Sequence, residues 1–211
     1  MHGLYGIIDT SASPQRSHAD LCRAYLAADV RWLQLRMKGA SEEEVERVLL
    51  ELLPSVRAAG ATLILNDHVA LAARHAGVGV HGGQDDLDPV EARRILGPDR
   101  VLGLSTHSVE DLQAAAALPI DYVGFGPVFT AAGKHRSAGD LRPAMQARGT
   151  AGLKAALEVA TVPLVAIGGV DENNIDDVVG AGARCVAVIA AVATAADPRT
   201  AACALQRAFE R

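Results

Sequence analysis

The 211-residue sequence predicts an α/β fold, a single-domain (β/α)8 TIM barrel covering residues 1–211. Three observations lead there. Eight short runs rich in Leu, Val and Ile recur along the whole chain. Most gaps between them carry Ala-rich amphipathic patterns of helical period. Most runs are apolar on both faces, the mark of a parallel sheet covered by helices. An open doubly wound sheet is the second choice, and no linker-like stretch divides the pattern.

The predicted strands, in order, are 3–9 (GLYGIID), 31–37 (RWLQLRM), 62–67 (TLILND), 78–83 (VGVHGG), 101–106 (VLGLST), 122–129 (YVGFGPVF), 163–169 (PLVAIGG) and 185–192 (CVAVIAAV). Helix starts are marked by Ser41 with Glu44 and by Asp88 with Glu91, two capping boxes, the second with Pro89 at the first helical position. Asp197-Pro198 opens the last helix in the same way, and a helix follows Gly168-Gly169 from Asp171. The irregular stretch is 130–150 (TAAGKHRSAGDLRPAMQARGT), an extended loop after strand six. A loop of that length in a compact domain is usually functional.

Composition narrows the function. Half the residues are hydrophobic but only 3% are aromatic, so a large core must come from Ala, Val, Leu and Ile. A formal net charge of −5 argues against nucleic acid as a partner and leaves small anionic substrates open. Cys22, Cys185 and Cys203 are odd in number and lack metal-ligand spacing, which suits a reducing compartment. The chain opens directly into GLYGIID, and its longest apolar run, CVAVIAAVATAA, is too short to span a bilayer. A soluble, cytoplasmic protein is expected, with no membrane partner and an open oligomeric state.

In such a barrel the chemistry sits at the carboxyl ends of the strands. Those ends carry Arg36 and Lys38, Asn66 and Asp67, Gln84 to Asp86, Ser105 and Thr106, Lys134, and Gly168-Gly169. Arg36 and Lys38, two apart, would point to one side of an extended strand. Asp67 and Asp86 follow neighbouring strands and could share Mg2+, which is typically held by one or two carboxylates with phosphate oxygens and water. Either could instead cap a helix, although Asp88 fits the cap position better than Asp86. Arg36, Lys38 and Lys134 beside such a metal suit a diphosphate, with Asn66 and Ser105 adding neutral hydrogen bonds. The two cations after strand two could equally be exposed loop residues. Gly168-Gly169 could bind a second anion through backbone N–H groups or be a tight turn. His81 and His107 read as structural.

These strand ends, taken together, resemble the thiamine phosphate synthase family. The stretches LYGIID, QLRMKG, LILNDHVALA, VGVHGGQDDL, ILGPDRVLGLSTHS, DYVGFGPVF, AAGK, VPLVAIGGV and VAVIAAV occur in family order and cover almost the whole chain. The resemblance implies a transferase that joins hydroxymethylpyrimidine diphosphate to hydroxyethylthiazole phosphate by Mg-assisted, dissociative loss of diphosphate. It also implies roles: Asp67 and Asp86 for Mg2+; Arg36, Lys38, Asn66 and Lys134 for the diphosphate; Ser105 and Gln34 for the pyrimidine end. The thiazole-phosphate side departs from the family. Where a TxTK-like run is usual the chain has Ala131-Ala132-Gly133-Lys134, and VISA becomes VIAA with Ala190 for the serine. Backbone N–H groups near Gly169 and Ala190, with Arg136, Arg142 or Arg148 from the long loop, are the expected replacements. The competing readings are a relative using another acceptor, a thiazole-tautomerase-like enzyme, and a non-catalytic phosphometabolite-binding protein.

Overall fold

A computed structural model describes residues 1–130 and 146–210. Strands and helices alternate: β1 (Gly3–Ile8), α1 (His18–Ala27), β2 (Trp32–Leu35), α2 (Glu42–Ala58), β3 (Thr62–Asn66), α3 (Val69–Arg74), β4 (Gly79–Gly82) and α4 (Pro89–Leu96). There follow β5 (Leu102–Thr106), α5 (Val109–Ala115), β6 (Tyr122–Phe125), α6 (Gly149–Val159), β7 (Leu164–Ile167), α7 (Ile175–Gly180), β8 (Cys185–Val188), α8 (Ala190–Ala193) and α9 (Pro198–Gln206). All neighbouring strands are parallel, and β8 pairs with β1 to close the barrel, with Gly3 opposite Cys185 and Tyr5 opposite Ala187.

The pleat divides each strand between two layers. Tyr5 and Ile7 of β1, Ile64 of β3, Tyr122 of β6, Val165 of β7, and Cys185 and Ala187 of β8 pack inside the barrel. Leu4, Ile8, Leu33, Leu35, Leu63 and Leu65 face outward into the layer under the helices. Helix α2 supplies that layer with Val45, Val48, Leu49, Leu52, Leu53 and Val56, a stripe of helical period. Fully burying an aliphatic side chain of this size contributes about 1.5–3 kcal/mol.

The start signals resolve individually. Ser41 and Glu44 form the expected capping box, and Asp197 caps α9 ahead of Pro198. Asp88 accepts from the N–H groups of Val90 and Glu91, but Glu91 turns its carboxylate to Arg94, so α4 has the cap without the reciprocal half of the box.

Several boundaries differ from the sequence expectation. All the strands but β5, which ends at Thr106 as expected, stop one to four residues earlier than their apolar runs, because the last residues of those runs belong to the rim loops or, after β8, to a helix. The run 185–192 breaks after Val188, and its second half is the short helix α8. Ala-rich sequence forms helix readily once the ladder has ended. Helix α7 starts at Ile175, not Asp171, since Asn174 uses its side chain to tie down Gly169 and Asp171. Helix α6 begins at Gly149, inside the stretch 130–150 expected as a loop.

Candidate active site

Asp9 leaves the end of β1 almost fully buried, and its Oδ1 accepts the Ser11 N–H at 2.8 Å. Across from it, the Arg36 N–H donates to the Ile8 carbonyl, extending the β1–β2 ladder by one residue. The Arg36 guanidinium then reaches Asp9 Oδ2 at 2.5 Å, with side-chain exposures of 11% and 4%. Burial by itself pushes the Asp9 carboxyl up; the Ser11 hydrogen bonds and Arg36 outweigh it and hold the group below the usual aspartate range. The paired aim expected of Arg36 and Lys38 is corrected here. β2 ends at Leu35, so neither lies in the strand, and Lys38 takes a different carboxylate.

That carboxylate is Asp67. Its Oδ2 accepts from Lys38 Nζ and from Asn66 Nδ2, each at 2.5 Å. Its backbone has φ +69°, a left-handed conformation that aspartate tolerates better than most residues, and its N–H donates to the His81 carbonyl at 2.9 Å. The helix-cap alternative does not hold for Asp67: the N-cap of α3 is His68, with no side-chain cap hydrogen bond. Burial raises the Asp67 carboxyl, Lys38 offsets part of the rise, and the Asp86 carboxyl beside it adds to it. Asp86 is positioned by the turn after β4, where its Oδ2 accepts the Gly83 N–H at 2.6 Å. Asp88 takes the cap of α4, as expected.

Two carboxylates meeting at one rim, each anchored from its own strand end, form a donor set of the kind that holds Mg2+ together with phosphate oxygens and water. Among the described residues no group of three or more His, Cys, Asp or Glu is arranged to hold a metal.

Below the rim lies a file of polar side chains inside the barrel. Gln34 Nε2 donates to Tyr5 Oη at 2.9 Å, and the hydroxyls of Tyr5 and Tyr122 are 2.8 Å apart. Tyr122 Oη is 2.9 Å from His81 Nδ1, and His81 Nε2 is 2.9 Å from Ser105 Oγ. Burial lowers the His81 imidazole to about 4, so it is neutral at physiological pH. Thr106 points the other way and donates to the Gly124 carbonyl.

On the far side of the rim, Gly168 and Gly169 follow β7 with φ of +102° and +64°. A Cβ on Gly168 would lie 2.6 Å from Pro127 Cα, and one on Gly169 would lie 2.6 Å from the Phe129 carbonyl oxygen. Both glycines are thus required by a tight packing of this turn on the loop after β6. Ala190 begins α8 at the end of β8, and exposed Arg148 is the N-cap residue of α6, its N–H donating to the Pro127 carbonyl. Lys134, Ala131, Gly133, Arg136 and Arg142 lie outside the described residues. His107 Nδ1 is 2.8 Å from the Gly126 carbonyl oxygen, a contact that ties two rim loops together.

Residues 4–192 match a family model described as thiamine monophosphate synthase. The chain belongs to the thiamine monophosphate synthase family. The thiamine-phosphate synthase of Azorhizobium caulinodans is 39% identical over 98% of this chain and 94% of the relative. That of Anaeromyxobacter dehalogenans is 39% identical over 99% and 88%, respectively. Among solved structures, thiamine phosphate pyrophosphorylase from Pyrococcus furiosus superposes with a TM-score of 0.86 at 30% identity, covering 99% of this chain and 95% of that one. Membership in the synthase family makes the protein a transferase. It does not favour the tautomerase-like or non-catalytic alternatives.

Sequence reasoning missed three residues of this site, Asp9, Tyr5 and Tyr122, and read a fourth, His81, as structural. Asp9 is the last letter of GLYGIID and stands at a strand end like the others, so its rim position was readable; its pairing with Arg36 was not. Tyr5, Tyr122 and His81 occupy inward positions of three strands, and only the closed barrel brings them into one file with Gln34 and Ser105.

Proposed function

We propose that this protein is a thiamine phosphate synthase that joins hydroxymethylpyrimidine diphosphate to hydroxyethylthiazole phosphate, releasing diphosphate. The observation that carries the reading is the meeting of Asp67 and Asp86 beside Lys38 and Asn66, with Arg36 held at the same rim. A diphosphate leaving group needs cations and donors fixed in advance where its charge develops. Arg36 and Lys38, with Lys134, supply the cations, and Asn66 an amide donor. Asp67 and Asp86 would hold Mg2+, which when bound offsets the negative charge of the departing diphosphate.

The bond between the pyrimidine methylene carbon and the diphosphate oxygen breaks, and its electron pair leaves with the diphosphate. The thiazole ring nitrogen then forms the new carbon–nitrogen bond. The protein needs no nucleophile of its own, only charge stabilisation and positioning. Gln34 and Ser105 hold the pyrimidine end. The thiazole phosphate is held at the far rim by backbone groups near Gly169 and Ala190 and by Arg148. The described residues contain no helix long and apolar enough to cross a membrane, and Cys22, Cys185 and Cys203 are all free. The free thiols support a reducing, cytoplasmic setting.

Asp86→Ala tests the metal assignment. Mg2+-dependent release of diphosphate should fall by about 100-fold or more, given the several kcal/mol that charge stabilisation contributes. The thermal unfolding midpoint should change by only a few degrees. Undiminished turnover would remove Asp86 from the metal site.

A further inference from the structure

Where β1 and β2 end, the ladder sets a carboxylate beside a guanidinium. Ile8 pairs with Leu35, and the Arg36 N–H donates to the Ile8 carbonyl at 3.1 Å, so Asp9 and Arg36 leave the two strands side by side. The Asp9 carboxylate is fixed through both oxygens. Oδ1 accepts the Ser11 N–H at 2.8 Å, and Oδ2 accepts from Arg36 Nη1 at 2.5 Å. Both side chains are nearly buried, whereas those of Lys38 and Asp67 are 33% and 25% exposed. Lys38 also leans on a carboxylate proposed for Mg2+, while Arg36 leans on Asp9.

A guanidinium is planar and has five N–H donors. One acceptor on Nη1 therefore orients the whole fork, and the group has the capacity to meet a diphosphate oxygen as well. Asp9 acts on such an anion in two opposing ways. Its charge repels the anion. Its grip on Arg36 removes side-chain freedom that binding would otherwise have to remove. In so close and so buried a pair the Asp9 charge is already offset by Arg36, so orientation outweighs repulsion.

We propose that Asp9 is a positioning residue of the diphosphate site. It holds the Arg36 guanidinium in the orientation that receives the leaving group's oxygens, so that Arg36 does not have to be ordered when the diphosphate binds or departs. The ligand class rests on the synthase reading; the grip of Asp9 on Arg36 rests on the ion pair itself. The role requires a carboxylate. An asparagine in its place has one oxygen for two donors, the Ser11 N–H and Arg36 Nη1, and turning its amide nitrogen toward either sets donor against donor.

The test is a double-mutant cycle on the dissociation constant of inorganic diphosphate, measured by calorimetry with Mg2+ for wild type, Asp9→Asn, Arg36→Ala and the double variant. Asp9→Asn should weaken binding by about tenfold, the scale of one charge-assisted hydrogen bond. Added to Arg36→Ala, it should weaken binding no further. Unchanged or tighter binding by folded Asp9→Asn overturns the inference. So does an equal loss in both backgrounds, the mark of damage that does not pass through Arg36. Because a variant could fail to fold, a crystal structure of wild type with Mg2+ and inorganic diphosphate decides independently. Arg36 should touch a diphosphate oxygen while keeping its contact with Asp9. An Arg36 that leaves Asp9 for the anion, or that does not reach the anion, overturns the proposal. Failure of the synthase reading shows separately, as wild type that forms no thiamine phosphate while the cycle still holds; wild type that binds no diphosphate overturns both.

Discussion

Asp9 holds the Arg36 guanidinium at the rim. With Arg36 it makes the least exposed ion pair of the rim, and a buried pair is far more costly to break than to keep. Asp9→Asn should lower stability at pH 7 by about 1–3 kcal/mol through the weakened charge-assisted bond. The sign of its pH dependence follows from the lowered carboxyl. That stability is fully present above the unfolded-state value of about 3.9 and is lost as pH falls through the lower folded-state value. Urea unfolding from pH 7 to 2.5 should therefore show wild type and variant converging at the acid end. A constant gap would mean that the Asp9 charge is not what stabilises. Of the three arginines expected to replace the missing hydroxyls, Arg148 is the one that lies among the described residues. Arg148→Ala should raise the Michaelis constant for the thiazole phosphate by about tenfold, the scale of one charge-assisted hydrogen bond, and leave that of the pyrimidine diphosphate unchanged. No effect on either would leave the replacement of the missing hydroxyls to residues other than Arg148.

At the scale of the elements, strand glycines are where function presses on packing. Gly103 is the second residue of β5, where a side chain would ordinarily favour the strand, and the Tyr122 ring occupies the space its Cβ would need. Gly103→Ala should destabilise the barrel by about 1–3 kcal/mol or more, because the phenol has to move and its hydroxyl leaves both neighbours. Denaturant unfolding measures this, and a neutral substitution would show that the file tolerates displacement. The same elements show how far the sequence could be read. Apolar runs located all eight strands, and polar caps located α2, α4 and α9, since both signals are local. Strand ends were overrun wherever a rim residue or a helical turn was itself apolar, as in 185–192, where period and composition do not separate strand from helix. The geometry of Arg36 and Lys38 depended on such an end. Reading β2 through Met37 put both cations on one strand face, whereas a strand ending at Leu35 frees them to reach Asp9 and Asp67.

For the whole molecule, closure is the decisive event. It brings β8 against β1 and sets residues from β2, β5 and β6 around one axis. The residues at strand ends were legible in the sequence because the barrel rule needs only their order along the chain. The interior file was not, because its members come from β1, β2, β4, β5 and β6, and its links through Tyr122 to Tyr5 and His81 join strands that are not neighbours. Family membership and the carboxylate pair at the rim converge on one central claim, metal-assisted transfer of the pyrimidine from diphosphate to the thiazole nitrogen. The most direct measurement is a product assay by mass. The purified protein is incubated with the pyrimidine diphosphate and the thiazole phosphate, with Mg2+ or with a chelator. Thiamine phosphate forming only with Mg2+ is the result expected here. No product with the metal present, while the pyrimidine diphosphate still binds, would contradict it and leave a donor site that serves a different acceptor.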